Sequence, residues 1–334
     1  MHPPQPLDTH AAPGPWRGSF ALLLCVGAMA CGSPESAADL ERPAGDPAVE
    51  IPSRGAANTL DIATWNLDWF GDPGNGPADE AAQSRNIRDV ILGSDLDLWS
   101  VQEVVDARAF RALLAELPGY AGLLADEPTV VGGATWYEDF GDREQKVALI
   151  YRTDVVEVVS AQVILSDDNY AFAGRPPIEV EVRITLEGRT IDAVVILLHA
   201  KASQDEASWA RRQTGARALR RHLDTAWPTV PVWVLGDFND DVDRSIADGR
   251  PSPYAEFVEA TDWAFPTQSL SQQGTSSTVR FSDVIDHHLV SDEALGGYVT
   301  GSVEAFRVDQ WIPSYDATTT DHFPVLARYR LPGE

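Results

Sequence analysis

Cysteine is nearly absent: the 334-residue chain has 2, Cys25 and Cys31, both in its first tenth. That excludes a disulfide framework and a cysteine-ligated zinc site in the remainder, so a folded domain there must hold by its core alone. Basic residues are also outnumbered. Lys and Arg count 25 against 51 Asp and Glu, a formal charge of −26 with a pI near 4.5. No generally basic surface is available to attract a phosphate backbone; any such contact needs local help. Long hydrophobic runs are missing as well: FALLLCVGAMA, residues 20–30, covers only 11 positions, short of the roughly 20 that a spanning helix requires. The rest is ordinary globular material, 44% hydrophobic with mean hydropathy −0.19, and long enough for one large or two ordinary domains.

The short apolar run fits the core of an export signal. Arg17 precedes it, Ala28 and Ala30 close it, and Ala28-Met29-Ala30-Cys31 resembles a bacterial lipobox that lacks the usual leading leucine. The expectation is a signal peptide over 1–30 and lipidation at Cys31, giving an exported lipoprotein at the cell envelope, or a secreted protein. Cys25 would leave with the signal. Residues 31–58, rich in Pro, Gly, Ala and Ser with no hydrophobic period, read as a flexible tether.

From Leu60 onward short β-type runs alternate with helical stretches, which indicates one layered α/β domain over 59–331 with no internal repeat. Strands are expected at 60–65, 96–101, 147–151, 155–165, 178–186, 191–198, 232–235, 284–290 and 325–329. Helices are expected at 78–92, 107–116 and 203–225, the last with Ala207, Ala210, Thr214, Arg217, Leu219 and Leu223 facing inward. Turn residues mark loops at 71–76, 126–142 and 240–253.

Four segments place a polar residue at the end of an apolar strand, where a sheet can aim several side chains at one point: IATWN (62–66), LWSVQE (98–103), VVILLH (194–199) and VWVLGDFN (232–239). VIDHH (284–288) and TDHFPV (320–325) add two more clusters. Together they supply Asn66, Glu103, His199, Asp237, Asn239, Asp286, Asp321 and His322. An oxygen-rich set with imidazoles is the ligand chemistry of Mg2+ or Mn2+. Taken singly, an Asn or Asp at a strand end is an ordinary turn residue, and His199 a satisfied core histidine; it is the joint occurrence that points to a site. His287 and His288 are adjacent, so on a strand they face opposite sides and at most one approaches it. Arg211, Arg212, Arg217, Arg220 and Arg221 form a basic run on one helix, read first as a solvated face and second as a phosphate-binding strip.

Gly236-Asp237-Phe238-Asn239 and the segment from Thr320 to Val325, TDHFPV, resemble the two most diagnostic signatures of the endonuclease/exonuclease/phosphatase superfamily, with Trp65-Asn66 and Gln102-Glu103 in the expected order. That superfamily includes pancreatic-type deoxyribonucleases, apurinic-site endonucleases, inositol-polyphosphate phosphatases and sphingomyelinases. The resemblance runs from about Leu60 to Tyr329 and implies a four-layer α/β/β/α sandwich, two packed mixed β-sheets flanked by helices. It further implies Glu103 as the principal metal carboxylate, Asn66 as its amide neighbour and Asp321 as a further ligand. Asp237 and Asn239 would orient the attacking water and a phosphate oxygen, His322, held by Asp286, would act as general base or electrostatically, and His199 would protonate the leaving oxygen or bind the developing charge. Arg175, in AGRPP, resembles a phosphate-clamping arginine.

Two positions depart from the deoxyribonuclease branch. A glutamate orients the first histidine there, whereas Gln145 falls at that place here, with Glu144 as the alternative; and Arg143 stands where a tyrosine is usual, with Tyr137 as a distant substitute. The implied protein is an exported nuclease that cleaves DNA or RNA by in-line attack of a water. Its implied cofactor is Mg2+ or Mn2+, with Ca2+ as a structural ion. A phosphatase or phospholipase acting on inositol phosphates or sphingomyelin is the alternative, and a binding lipoprotein without the chemistry is the rival that an intact site opposes. The membrane would be met only through the lipid anchor, and no obligate protein partner is implied.

Overall fold

In the computed structural model, residues 49–137 and 144–331 are described, all within the unit Pro47–Glu334, one of the two into which the chain divides. The signal, Cys31, most of the expected tether and Arg143 lie outside the described residues. The order begins β1 (Leu60–Phe70), α1 (Glu80–Ser94), β2 (Leu98–Val104), α2 (Ala107–Ala115), β3 (Tyr120–Leu124), β4 (Val130–Val131) and α3 (Gly133–Tyr137). It continues with β5 (Lys146–Arg152), β6 (Val156–Val163), β7 (Ile178–Leu186), β8 (Arg189–His199), α4 (Glu206–Ala226) and β9 (Val232–Asp237). The last strands are β10 (Trp263–Ala264), β11 (Asp286–Ser291), β12 (Glu304–Ala305) and β13 (Val325–Tyr329), separated by short helical turns.

Two mixed sheets result, ordered β12-β13-β1-β2-β5-β3 and β10-β11-β9-β8-β7-β6-β4. β1 and β2 are parallel, as are β8 and β9, while β11 runs antiparallel to β9. The C-terminal ends of β1, β2, β8 and β9 and the N-terminal end of β11 therefore come to one edge of the stack.

Side-chain alternation along each strand builds three apolar layers. Leu60, Ile62, Leu98, Leu149, Val195, Leu197, Trp233 and Leu235 fill the space between the sheets. Ala63, Trp65, Trp99 and Val101 face outward against Ile87, Val90 and Ile91 of α1 and Phe110 and Leu113 of α2. Val194, Ile196, Leu198, Val232 and Val234 pack under Ala216, Leu219 and Leu223 of α4. The four layers expected from the resemblance are thus in place. α1 begins where Asp79 caps Ala82 N, and α4 where Asp205 caps Ser208 N, each at 2.9 Å.

Four differences from the sequence reading have physical causes. β1 and β2 run five and three residues past their expected ends, into the polar residues that pure apolar patterning discounts. β3, with its half-buried YAGLL, and the short β4 and α3 inside the expected 126–142 loop lack a clear period. α4 turns a different face inward: Ala207, Ala210, Thr214 and Arg217 are exposed, while Ser208, Trp209, Arg212, Gly215, Ala216 and Ala218 are buried beside Leu219 and Leu223. Arg212 is accepted in the interior because its charge is paired there. Finally, within the segment read as tether, Ile51 is buried against Gly93 and Arg54 pairs with Glu304 at 2.9 Å.

Candidate active site

The inner face of each central strand changes from apolar to polar toward the shared edge. Along β1 it reads Leu60, Ile62, Thr64, Asn66; along β2 Leu98, Ser100, Gln102; along β8 Val195, Leu197, His199; along β9 Trp233, Leu235, Asp237. The same period that fills the core therefore delivers Asn66, His199 and Asp237 to the mouth of the inter-sheet space, and Asp286, register partner of Asp237, joins them from β11. Glu103 has the opposite parity. It is brought back by a left-handed backbone, φ 60°, in the irregular stretch where β2 slips register against β5 between Val101 and Val104.

Asn66 is the hub. Its Nδ2 donates to Glu103 Oε1 and to Asp237 Oδ2, both at 3.1 Å, while its Oδ1 accepts Asp68 N at 3.0 Å. Trp69 N donates to Glu103 Oε2 at 3.1 Å. Asp237 Oδ1 accepts Asn239 N at 2.8 Å, and Asn239, at φ 52°, sends Nδ2 to the carbonyl of Ala200 at 3.2 Å. Burial and the neighbouring Asp286 charge raise the Asp237 carboxyl above its ordinary range.

His322 and His199 meet opposite surroundings. His322 Nδ1 lies 2.9 Å from Asp286 Oδ2, which also accepts Ser277 Oγ at 2.7 Å. Burial alone would discharge this imidazole, but the Asp286 charge and hydrogen bond, with Asp237 and Asp321, outweigh it and raise His322 well above the usual histidine range. His199 is pushed well below the usual histidine range by burial, with Arg175 and His322 adding to it. Its Nε2 lies 3.7 Å from both Glu103 Oε1 and Asp237 Oδ2, and its buried Nδ1 has no hydrogen-bond partner. Gln145 does not reach it: the Gln145 side chain accepts from Arg175 Nη1 instead. Arg175 is itself buried, with Nη2 on the Ala200 carbonyl at 3.0 Å, and its charge is felt by Glu103 and Asp237. Tyr137 is wholly buried and donates to the Pro176 carbonyl at 2.7 Å, so it is no surface substitute for the missing tyrosine.

Asp321 stands at the rim, 3.9 Å from His322 Nε2 and 3.5 Å from Arg280. Between it and Glu103 the structure adds a residue the sequence reading passed over, Asp68. Burial, then the charges of Asp321 and Glu103, push its carboxyl up to about 7. The available signal was the Asn-x-Asp spacing at the end of β1; the missing information was the bulge at Asp68 and Trp69, φ 49° and 55°, that turns it into the cluster. His287 and His288 are both buried away from it, on Thr267 and the Asp240 carbonyl and on Tyr329 and the Val325 carbonyl respectively.

The donor set suits a hard divalent cation. Carboxylates outnumber the cations Arg175, Arg280 and His322 among them, Asp286 Oδ1 is buried with no partner, and candidate ligand atoms of Asp237, Asp286 and His322 lie within 4.8 Å of one another.

A two-sheet sandwich whose inner face ends in carboxylates, amides and a paired imidazole defines a phosphoester hydrolase. The chain belongs to the Endonuclease/Exonuclease/phosphatase family, whose match spans residues 63–322. It is 25% identical over 280 residues to Deoxyribonuclease-1 of Gallus gallus, covering 80% of this chain and 92% of that one. Among solved structures, an endonuclease/exonuclease/phosphatase from Bacteroides vulgatus superposes with TM-score 0.58 at 19% identity, covering 82% of this chain and 99% of that one. The human Nocturnin catalytic domain, solved with bound sulfate, gives TM-score 0.55 at 20% identity, covering 81% and 93%.

Proposed function

We propose that the protein is a divalent-metal-dependent phosphodiesterase that hydrolyses nucleic acid. The observation that carries this is the Asn66 amide, which ties Glu103 of one sheet to Asp237 of the other, next to the His322–Asp286 pair. Near-full-length likeness to a deoxyribonuclease supports nucleic acid as the substrate.

Asp68, Glu103 and Asp321, with Asn66, would hold Mg2+ or Mn2+. When bound, the cation neutralises charge on the phosphoryl oxygens in the transition state. Asp237, in its carboxylate form and made more basic by burial, accepts the proton of a water that Asn239 would help to orient, as the water oxygen bonds to phosphorus and the in-line P–O bond breaks, the departing oxygen taking a proton from solvent. His322, locked by Asp286, presents a cationic N–H to the phosphoryl group. His199 is neutral here and serves as a hydrogen-bonding partner rather than a proton source. Arg175 keeps a fixed positive charge behind the site.

The test is hydrolysis of supercoiled plasmid and of bis-p-nitrophenyl phosphate. Metal-dependent nicking, abolished by EDTA and reduced roughly 10²–10⁴-fold by His322→Ala, is expected. Full activity in EDTA overturns the metal mechanism, and cleavage of the small diester with plasmid left intact overturns the nuclease reading in favour of a lipid or small phosphoester. We also propose export and lipid attachment at Cys31 on the strength of the 20–30 run; loss of membrane partition in Cys31→Ala is the expected outcome.

A further inference from the structure

Beside the site lies a group of cations that the chemistry above does not use. Lys201 follows Ala200, whose carbonyl receives both Arg175 and Asn239. The Lys201 carbonyl in turn accepts Arg212 Nη1 at 2.7 Å, which fixes this loop against α4. Arg211, the next residue out on α4, donates Nε to the Tyr170 carbonyl at 2.8 Å and lays its guanidinium over the Tyr170 ring, 4.2 Å from the centroid. The turn that carries Tyr170 leads back to Arg175, whose N–H bonds the Phe172 carbonyl at 3.0 Å. Arg175, Lys201, Arg211 and Tyr170 therefore form a continuous path from the buried site to the surface.

Among the described residues, two cations on this path share their lack of an ion pair with Arg221 of α4, but they alone stand beside Tyr170 and the loop after Ala200. The chain carries a formal −26, and Arg212, Arg220 and Arg250 each find a carboxylate. Among the described residues Lys201 and Arg211 make no ion pair; Lys201 Nζ reaches only the Ala202 carbonyl, at 2.7 Å. The facing acid, Asp205, offsets only part of this charge and also caps α4 through Ser208 N and Ser208 Oγ, and Asp167 and Asp168 of the adjoining turn form no ion pair with either cation. Burial and then Arg211 push the Lys201 ammonium below the ordinary lysine range, so the cations crowd one another. A bound anion would relieve that repulsion. Tyr170 stays 75% exposed despite the arginine over it, leaving most of an aromatic surface open to a base.

We propose that Lys201, Arg211 and Tyr170 form an outer subsite that holds a phosphate and the adjoining base of a nucleic acid strand whose scissile phosphate lies by Arg175 and His199. This rests on the nuclease reading, and it gives an acidic protein a local cationic strip, leading into the site, with which to hold a polyanion.

The experiment compares steady-state cleavage of a single-stranded oligonucleotide and of bis-p-nitrophenyl phosphate by the full chain, between about 50 and 200 mM NaCl. Lys201→Ala/Arg211→Ala is expected to raise KM for the oligonucleotide about tenfold with kcat held, and to make the log–log salt dependence of kcat/KM shallower by about one. Tyr170→Ala raises KM by about tenfold without changing the salt slope. The small diester, which ends at the scissile phosphate, is cleaved as by wild type. Lys201→Arg/Arg211→Lys keeps the charges and retains wild-type KM. An unchanged oligonucleotide KM and slope in the alanine variant overturns the subsite while the nuclease reading stands. Equal loss on both substrates also overturns it, since the variant then acts through the site itself. If wild type cleaves the diester and no oligonucleotide at any salt, the nuclease reading fails first and the subsite falls with it.

Discussion

Glu103 shows how one residue can run against its strand for the sake of a site. A bulky side chain at φ 60° costs about 1–3 kcal/mol, and here that strain reverses the strand parity and sets a carboxylate beside Asn66. Identical side chains are likewise separated by their neighbours: Asp286 raises His322 above the usual histidine range, whereas burial and then Arg175 lower His199 below it. Away from the site, Asp97 illustrates the same physics in stability. Burial, opposed by the hydrogen bond from Asp61 N and reinforced by the Asp61 charge, pushes its carboxyl up to about 7 from the ordinary 3.8. The native state therefore keeps a proton that the unfolded chain has lost, and stability falls as pH rises from about 4 through 7. Asp97→Asn retains an acceptor for Asp61 N and removes the charge. It is expected to raise stability at pH 8 by roughly 2 kcal/mol, with the gain gone below pH 4, as measured by denaturant titration at both pH values.

At the scale of elements, the loop after β9 is held from α4. Arg212 Nε meets Asp240 Oδ2 at 2.8 Å, and Arg212 Nη1 also bonds the carbonyls of Lys201 and Ser203. Asp240 in addition accepts Ile246 N at 2.7 Å and Ser245 Oγ at 2.9 Å. Both ion-pair side chains are fully buried, so removing one leaves the other uncompensated. Arg212→Met is expected to cost about 3–5 kcal/mol, seen as a lower Tm, and Asp240→Asn added to it should recover part of the loss. Recovery of nothing would show that the carbonyl contacts, not the charge, dominate. One strand earlier, Gly236 permits β8 and β9 to meet: a Cβ there would fall 1.8 Å from the Leu198 carbonyl. The signature GDFN thus opens with a packing requirement and only then supplies Asp237 and Asn239.

For the whole molecule, two sheets are needed because neither carries a complete site. Asn66, Asp68 and Glu103 come from the first, His199, Asp237 and Asp286 from the second, and the Thr320–His322 turn closes over both through Thr320 Oγ1 on the Asn66 carbonyl at 2.8 Å. Gathering carboxylates at the joint in a chain of formal charge −26 stores repulsion that a cation relieves. Mg2+ or Mn2+ is accordingly expected to stabilise the fold by about 2.7 kcal/mol at one hundred times Kd, and so to raise Tm. EDTA should reverse the rise and Glu103→Gln abolish it, as followed by thermal unfolding with and without metal. A Tm indifferent to metal in the wild-type chain would contradict the cation site.

The amino-acid sequence by itself determined the class of fold, the apolar strands and most of the polar groups that meet in the candidate site, because alternation with period two and polar strand ends are local properties. It also determined the acidic character, which depends on composition alone. Only the tertiary structure decided what those groups do together. The bulges that turn Glu103 and Asp68 inward, the choice of Gln145 to serve Arg175 and leave His199 unpartnered, and the burial of Arg212 all depend on contacts between residues tens to hundreds of positions apart. The same holds for Lys201 and Arg211: as letters one stands alone and the other opens a basic run, and only the placement of the carboxylates shows that, among the described residues, Arg211 is left without one while Arg212 and Arg220 are paired. Electrostatics and burial are sums over neighbours in space, and the order of residues along the chain does not contain that sum.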